Sequence, residues 1–180
     1  MELRKAVDNL CIYDPEFDYI AERFVSDVGT NSEKHSVRTM DDLKDALNSY
    51  FSVKFLEVCL HGSPGMIYLN DKTAVVGSYI NKLVTNANFL QKESRILFDS
   101  CSIGAGDPGE NFLDSLGSGL LMGKGGIAGA TTVDNVVSPL FSWTSVYMKP
   151  LSFGRLKVYR YDVMGNRIGE RTVDRHGLQR

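Results

Sequence analysis

Two residues that could work together as a nucleophile and a base each follow an apolar run of the chain. His61 follows the run Phe-Leu-Glu-Val-Cys-Leu at 55–60, and Cys101 follows the run Arg-Ile-Leu-Phe-Asp-Ser at 95–100. A thiol attacks as its thiolate, so it needs an imidazole or another positive influence nearby to take or weaken its proton. The pair therefore indicates nucleophilic cysteine chemistry, with Cys101 as nucleophile and His61 as base.

Both apolar runs predict buried strands of an open, mostly parallel sheet. The first run is nearly continuously apolar, as expected for a strand covered on both faces. A hairpin over 66–76 and a helix over about 78–90 separate the two runs, and the helix completes a strand–helix–strand unit. The carboxyl ends of parallel strands lie along one edge of the sheet, where a crevice opens. We therefore expect His61 and Cys101, 40 positions apart, to meet at that edge.

Small residues follow both candidate catalytic residues. The stretch Gly-Ser-Pro-Gly occupies 62–65, and Ser-Ile-Gly-Ala-Gly occupies 102–106. A glycine-rich backbone allows a substrate to approach closely. The backbone N–H groups of Gly62 and Cys101 are therefore the predicted oxyanion hole for acyl transfer.

The residues around this pair resemble the caspase-like cysteine peptidases, in which a strand ending in His-Gly precedes a strand ending in the catalytic Cys. The most similar motif is that of metacaspases, Asp-Ser-Cys-His-Ser-Gly; residues 99–104 read Asp-Ser-Cys-Ser-Ile-Gly, which keeps the first three residues and replaces the His. Caspases place the His roughly 50 residues before the Cys, an interval comparable to the one here. The sequence is also similar to bacterial domains of this superfamily that belong to large surface or secreted proteins.

The resemblance implies a cysteine endopeptidase that cleaves after a basic residue. In metacaspases the aspartate two residues before the nucleophile receives the basic side chain of the substrate, and Asp99 has that position here. Asp14, at the end of the first predicted strand, matches the other wall of the same pocket. A carboxylate there would form a charge-assisted hydrogen bond with Arg or Lys. Asp14 also has a local explanation, because Asp-Pro-Glu at 14–16 is an ordinary helix start.

The resemblance implies a caspase-like α/β fold, and length and composition fit a single domain over 1–180. The chain has 180 residues, 43% of them hydrophobic, which is enough for a substantial core. We predict an open, mostly parallel sheet with helices on both faces. The core is expected over about 5–135 and a C-terminal antiparallel hairpin over about 150–175.

The first half of that core has clear local signals. Residues 7–13 predict a strand, and a helix follows from Asp14 to about 27. A second helix is predicted after Thr39, because this residue and the acids at 41 and 42 form a favourable N-terminal cap. Leu43 and Leu47 lie at helical spacing after it.

A peptide or protein substrate is the expected partner, and nucleic acid and membranes are not. The net charge is −2 with dispersed Lys and Arg, so no basic stripe is present. Residues 1–8 are charged from the start and do not resemble a signal peptide. We expect a cytoplasmic protein, or a fragment of a larger protein or effector that is secreted.

No cofactor and no structural metal are expected. The cysteines Cys11, Cys59 and Cys101 are odd in number and contain no Cys-x-x-Cys pair, and the three histidines show no ligand spacing. Calcium occurs in the resembled family, but the sequence lacks clustered acidic ligands for it. Gly-Lys-Gly-Gly at 123–126 does not match a phosphate-binding loop.

The C-terminal tail predicts an antiparallel hairpin. Residues 154–163 alternate as a half-exposed strand does, 164–166 form a turn, and 167–173 return. Residues 161–167 also resemble one unit of the tyrosine-aspartate repeats of large bacterial toxins, an architecture that needs several units. Residues 136–149 are expected to form either a helix or a flap over the cleft.

Two functions of other classes remain compatible with this sequence. A catalytically inert caspase-like interaction module would explain the departures from the metacaspase motif. A flavodoxin-like domain would use the same strand-end crevice for a small ligand.

Overall fold

The structure is a computed structural model that describes residues 4–70, 72–132 and 156–173. The strands are β1 (Lys5–Ala6), β2 (Asn9–Tyr13), β3 (Ser32–Ser36), β4 (Tyr50–Phe51), β5 (Val53–Cys59), β6 (His61–Ser63), β7 (Met66–Tyr68), β8 (Ala74–Val76), β9 (Leu90–Phe98), β10 (Gly126–Thr131), β11 (Leu156–Tyr161) and β12 (Arg167–Val173). The helices are α1 (Asp18–Val28), α2 (Met40–Ser49), α3 (Gly77–Leu83) and α4 (Gly106–Ser118), with a short 3-10 helix at Pro15–Phe17.

The described residues form a seven-stranded mixed sheet in the order β12-β11-β10-β9-β5-β2-β3. The five strands from β10 to β3 are parallel, and β11 and β12 add an antiparallel hairpin. The predicted α/β class, mostly parallel sheet and C-terminal hairpin are thereby confirmed. Since Val58 of β5 pairs with Phe98 of β9, the two strands end side by side.

Helices cover both faces of this sheet. On one face α1 packs Ile20 and Phe24 onto Phe55 and Leu97 of the central strands. The other three helices cover the opposite face with the apolar residues Leu43, Leu47, Ile80, Leu83, Phe112 and Leu116. The central strands therefore lie between two apolar layers, as expected for parallel strands.

A second, three-stranded antiparallel sheet carries the histidine. It has the order β6-β7-β8, with His61 opposite Tyr68 and Ser63 opposite Met66. The predicted hairpin over 66–76 corresponds to β7 and β8. The additional strand β6 was not predicted, because three residues with a central glycine have little strand character by themselves.

The capped helix α2 agrees with its prediction. The Thr39 hydroxyl accepts a hydrogen bond from the Asp42 backbone N–H at 3.2 Å, and the Asp42 carboxylate accepts one from the Thr39 backbone N–H at 2.9 Å. This reciprocal arrangement is a capping box, which satisfies two otherwise unpaired donors at a helix start.

Two further elements differ from expectation. The helix predicted to reach Leu90 ends at Leu83. The Asn86 side chain donates a hydrogen bond to the Tyr50 carbonyl, and the Asn86 backbone carbonyl accepts one from the Phe89 N–H. These two bonds turn the chain into β9. The edge strand β3 was not predicted, because its sequence is polar throughout. Lys34 of that strand forms ion pairs with two carboxylates of α1.

The hairpin β11–β12 closes one side of the sheet. Tyr159 and Tyr161 are buried, and the Tyr161 hydroxyl donates to Asp114 of α4 at 3.3 Å. The segment 136–149, predicted as a helix or flap, lies outside the described residues. Within the described ranges, no helix has the length and apolar character needed to cross a bilayer.

Candidate active site at the carboxyl edge of the sheet

His61 lies at the start of β6, two residues after β5 ends, with its side chain 47% exposed. Its ring contacts the Phe17 ring at a centroid distance of 4.9 Å. Its Nε2 atom lies 3.3 Å from a carboxylate oxygen of Glu16. The imidazole is therefore accessible from solvent and held on one side by the segment that follows β2.

Cys101 lies in the turn between β9 and α4 and is partly exposed, whereas Cys11 and Cys59 are buried. A hydrogen bond with Cys11 and burial together raise the pKa of the Cys59 thiol well above its usual value. The three cysteines thus differ in accessibility, and Cys101 is the one of the three that is partly exposed to solvent.

Gly62 brings the His61 strand directly against Cys101. A Cβ atom built on Gly62 would lie 2.8 Å from the Ser100 Cβ, 3.0 Å from the Cys101 carbonyl oxygen and 3.3 Å from the Cys101 backbone nitrogen. Such distances are too short for a side chain, so the two backbones approach as only a glycine allows. The residue after His61 and the Cys101 backbone are therefore in contact.

The turn containing Cys101 is fixed from both sides. The Gly104 backbone N–H donates to the Thr131 carbonyl at 2.7 Å, and the Gly65 backbone N–H donates to the Ile103 carbonyl at 2.9 Å. Helix α4 begins at Gly106 without a side-chain cap, five residues after Cys101. A helix N-terminus favours nearby negative charge, including a thiolate.

The two aspartates predicted to bind substrate flank the end of β5. The Asp14 backbone N–H donates to the Cys59 carbonyl, and the Asp99 backbone N–H donates to the Val58 carbonyl, both at 2.9 Å. Both side chains are buried, Asp14 at 0% and Asp99 at 7% exposure. The Asp14 carboxylate lies near Glu16 and His61.

Asp99 belongs to a buried group that the sequence did not indicate. Ligating atoms of Asp99, Glu57 and Cys59 all lie within 4.8 Å of one another, and the Cys59 thiol donates to Glu57 at 3.2 Å. Burial, followed by the charges of Asp99 and Cys59, raises the pKa of Tyr19 on α1. A charged residue in the middle of an apolar strand was the one signal for Glu57.

Glu16 is the other residue that the sequence did not identify. It belongs to the Asp-Pro-Glu start of the 3-10 helix, where the Asp14 carboxylate accepts its backbone N–H at 2.9 Å. Its side chain points from that turn to His61, so the motif that predicts a helix start also delivers a carboxylate to the imidazole. The signal was its position directly after β2, a neighbour of β5 in the sheet.

The arrangement combines an accessible thiol, an imidazole, a carboxylate on that imidazole and two adjoining backbone segments. These are the components that nucleophilic acyl transfer requires: a nucleophile, a base, a group that orients the base and backbone donors. The structure thus defines an α/β protein with a candidate nucleophilic site at the carboxyl edge of its parallel strands.

The chain matches the model of a protein family described as a domain of unknown function, DUF4347, over residues 16–123. This match covers more than half of the chain and includes both His61 and Cys101, and the protein belongs to this family. No curated protein matches the chain.

Proposed function

We propose that the protein is a cysteine endopeptidase with a caspase-like fold, in which Cys101 is the nucleophile and His61 the base. The observation that carries this proposal is the contact of Gly62 with the Cys101 backbone, since it joins the strand of an exposed imidazole to the turn of an accessible thiol. The parallel core with an antiparallel hairpin supports the fold assignment.

The first chemical step forms a thioester. The His61 imidazole takes the thiol proton, and the Cys101 sulfur attacks the peptide carbonyl carbon, so that a C–S bond forms and the carbonyl electron pair moves to oxygen. The backbone N–H groups of Gly62 and Cys101 are the proposed donors to that oxyanion. When the electron pair returns, the C–N bond breaks and the leaving amine takes the proton from His61.

The second step regenerates the enzyme. His61 takes a proton from water, and the resulting hydroxide equivalent attacks the thioester carbonyl. Collapse of this second tetrahedral intermediate breaks the C–S bond, releases the carboxylic acid and returns the proton to the sulfur. The same imidazole therefore acts as base and as acid in turn, which general acid–base catalysis requires.

Glu16 is proposed to orient the imidazole. Its carboxylate lies 3.3 Å from Nε2 of His61. When Nε2 carries the ring proton and donates a hydrogen bond to the Glu16 carboxylate, the other ring nitrogen, Nδ1, has a free lone pair. Nδ1 is then the atom that can accept the proton of the Cys101 thiol. A carboxylate that fixes the tautomer in this way has the role of the acid in a catalytic triad.

Cleavage after a basic residue is the proposed specificity. Asp99 and Asp14 are buried carboxylates on either side of the end of β5, next to the strand that leads to His61. A buried carboxylate is stabilised by an arginine or lysine side chain that reaches it from the substrate. Tyr19 of α1 packs against the buried cluster that contains Cys59, and we infer that its ring lines the same pocket.

Hydrolysis of fluorogenic peptides with Arg, Lys, Asp or Leu before the scissile bond tests both activity and specificity. We expect turnover of the Arg and Lys peptides, a loss to background in Cys101→Ala, and a loss of at least about 100-fold in His61→Ala. Cys11→Ala and His35→Ala are matched controls, because each removes the same residue type away from the site.

The Asp99→Asn variant separates the activity from its specificity. We expect its kcat/KM for the Arg peptide to fall by about 10-fold to 100-fold, with a smaller change for a Leu peptide. Equal losses for both peptides would contradict the assigned pocket. No turnover by the native protein and equal labelling of all three cysteines by an arginine chloromethylketone would favour an interaction module instead.

A further inference from the structure

We propose that Asp14, Glu16 and His61 form a binding site for a zinc ion, and that the bound ion switches the peptidase off. The binding site itself is independent of the proposed function, whereas the inhibitory effect depends on it. This inference departs from the expectation that the chain binds no metal, which considered spacing along the sequence and not residues from two separate segments.

The three side chains have the geometry of a shared ion site. One carboxylate oxygen of Asp14, one of Glu16 and a ring nitrogen of His61 all lie within 4.8 Å of one another. The measured separation of Nε2 and the Glu16 oxygen is 3.3 Å. Two ligands of a tetrahedral zinc ion, each about 2.0–2.2 Å from the metal, lie roughly 3.4 Å apart. This pair therefore needs almost no movement to hold the ion.

Asp14 provides a second, independent observation at this site. Its side chain is fully buried, and one oxygen, Oδ1, accepts the Glu16 backbone N–H at 2.9 Å. The other oxygen, Oδ2, is buried and has no hydrogen-bond partner among the described residues. A buried carboxylate oxygen without a partner is costly, and a cation bound there removes that cost.

Each ligand is presented in a way that suits binding from solvent. The Asp14 backbone N–H is tied to the Cys59 carbonyl at 2.9 Å, which fixes the innermost ligand against β5. Glu16 and His61 are the exposed members of the group and provide the path of entry. An ion would thus pass the two exposed ligands and complete its coordination on the buried one.

The donor set selects the kind of metal. One imidazole nitrogen and two carboxylate oxygens suit zinc and similar transition metals, whereas calcium takes six to eight oxygen ligands. Three protein ligands leave the fourth tetrahedral position for water. Zinc is therefore the favoured ion, and calcium or magnesium should bind far more weakly.

Occupancy of the site would disable the base. A metal on Nε2 uses that nitrogen's lone pair, so the remaining ring proton resides on Nδ1. An imidazole in this state has no nitrogen left to accept the proton of the Cys101 thiol. The ion also removes Glu16 from its orienting role. Inhibition should be reversible, because a chelator restores both groups.

Calorimetric titration of the protein with zinc chloride tests the site without any activity measurement. We expect one ion per chain, a dissociation constant raised at least about 10-fold in Glu16→Gln and in His61→Gln, and unchanged binding in Cys101→Ala and in His35→Gln. Glu16 is exposed, so its substitution should leave the fold intact, which circular dichroism can verify. Cobalt substitution should give tetrahedral visible bands without a sulfur-to-metal charge-transfer band.

Two results would overturn the site. Binding that is lost in Cys101→Ala and kept in Glu16→Gln would place the ion on the cysteine and histidine, and equal binding by all variants would place it elsewhere. Zinc binding as expected by a protein without peptidase activity would support the site and reject the proposed function. Full peptidase activity of the zinc-loaded protein, with the ion shown to be bound, would reject the inhibitory effect.

Discussion

At the scale of single residues, the three thiols provide the most direct test of which cysteine is the reactive one. Cys101 is partly exposed, whereas Cys11 and Cys59 are buried and the pKa of the Cys59 thiol is raised by its hydrogen bond with Cys11 and by burial. Since the thiolate is the reactive form, iodoacetamide should modify Cys101 alone in the folded protein near neutral pH. Peptide mass spectrometry after a short exposure locates the label.

The matched control for this labelling is denaturation. In urea all three cysteines should be modified at similar rates, because burial no longer protects two of them. His61→Ala should slow the labelling of Cys101 in the folded protein, since the proposed base is absent. Labelling of Cys59 in the folded state at the Cys101 rate would contradict the assignment.

Gly62 sets the distance between the two halves of the site. In Gly62→Ala the new methyl group would lie 2.8 Å from the Ser100 Cβ and 3.0 Å from the Cys101 carbonyl oxygen, so the turn containing the nucleophile must move. We expect peptidase activity to fall at least about 100-fold, since small displacements of reacting groups have effects of this size. The free energy of unfolding should fall by only about 1–3 kcal/mol, as for an overpacked site.

Gly169→Ala is the corresponding control for this substitution. A Cβ at Gly169, on β12, would have its nearest neighbour at 3.9 Å, an ordinary contact. Activity and stability should both stay near those of the native protein. Native activity in Gly62→Ala would show that the contact between the two backbones does not matter for the chemistry.

What the sequence could predict of the site depends on how each residue reaches it. His61, Gly62 and Cys101 were identified because they follow apolar strands, and strand ends are visible in a single sequence. Glu16 and Glu57 were missed because they meet His61 and Asp99 through contacts between distant segments, and no local pattern records such contacts. From the sequence alone, Glu16 was part of a helix start, and Glu57 was a charged residue within an apolar strand.

At the scale of elements, α4 holds the Cys101 turn in place through its glycines. A Cβ on Gly109 would lie 2.2 Å from the Gly104 carbonyl carbon, which is backbone and cannot move aside. In Gly109→Ala the first turn of α4 must therefore separate from the turn that follows Cys101. We expect the free energy of unfolding to fall by about 1–3 kcal/mol and Cys101 labelling to change its rate.

Urea unfolding and labelling kinetics measure these two effects on the same sample. Asn111→Ala, an exposed position two residues further along α4, is the control and should leave both unchanged. A destabilised Gly109→Ala protein with the native labelling rate would mean that α4 supports the fold but does not position the nucleophile.

Elements with strong local signals were predicted, and those that depend on their neighbours were not. The capping box after Thr39 and the apolar run of β5 carry their own information, and both elements formed where expected. Strand β3 is polar and exists because it lies beside β2 with Lys34 paired to α1. The end of α3 is set by Asn86 through a hydrogen bond to the distant Tyr50 carbonyl, which periodicity does not reveal.

At the scale of the whole molecule, the C-terminal hairpin is joined through Tyr161 to the helix that follows the proposed site. Its ring packs on Gly117 of α4, the helix that follows the Cys101 turn, and its hydroxyl donates to Asp114 at 3.3 Å. The hairpin lies beyond residues 16–123, the part of the chain matched by the family model. The described residues thus place this hairpin in the same packed body as the proposed site.

This burial makes the stability of the molecule sensitive to alkaline pH. Burial and the Asp114 charge raise the pKa of Tyr161 far above its ordinary value of 10.0. Above that value the unfolded chain loses the phenol proton while the folded protein retains it, so the free energy of unfolding falls as the pH rises. One such group contributes a slope of up to about 1.4 kcal/mol per pH unit. Tyr161→Phe removes this contribution and keeps the packing of the ring.

Urea unfolding of the native protein and of Tyr161→Phe at about pH 8 and about pH 11 measures the difference. At the lower pH the variant should be less stable by about 1 kcal/mol, because it lacks the hydrogen bond to Asp114. At the higher pH this deficit should shrink or reverse, since only the native protein has a phenol at 161 to ionise on unfolding. A deficit of the same size at both pH values would show that the pKa of Tyr161 is the same in the folded protein and in the unfolded chain. The Tyr161 hydroxyl would then be in contact with solvent in the folded protein.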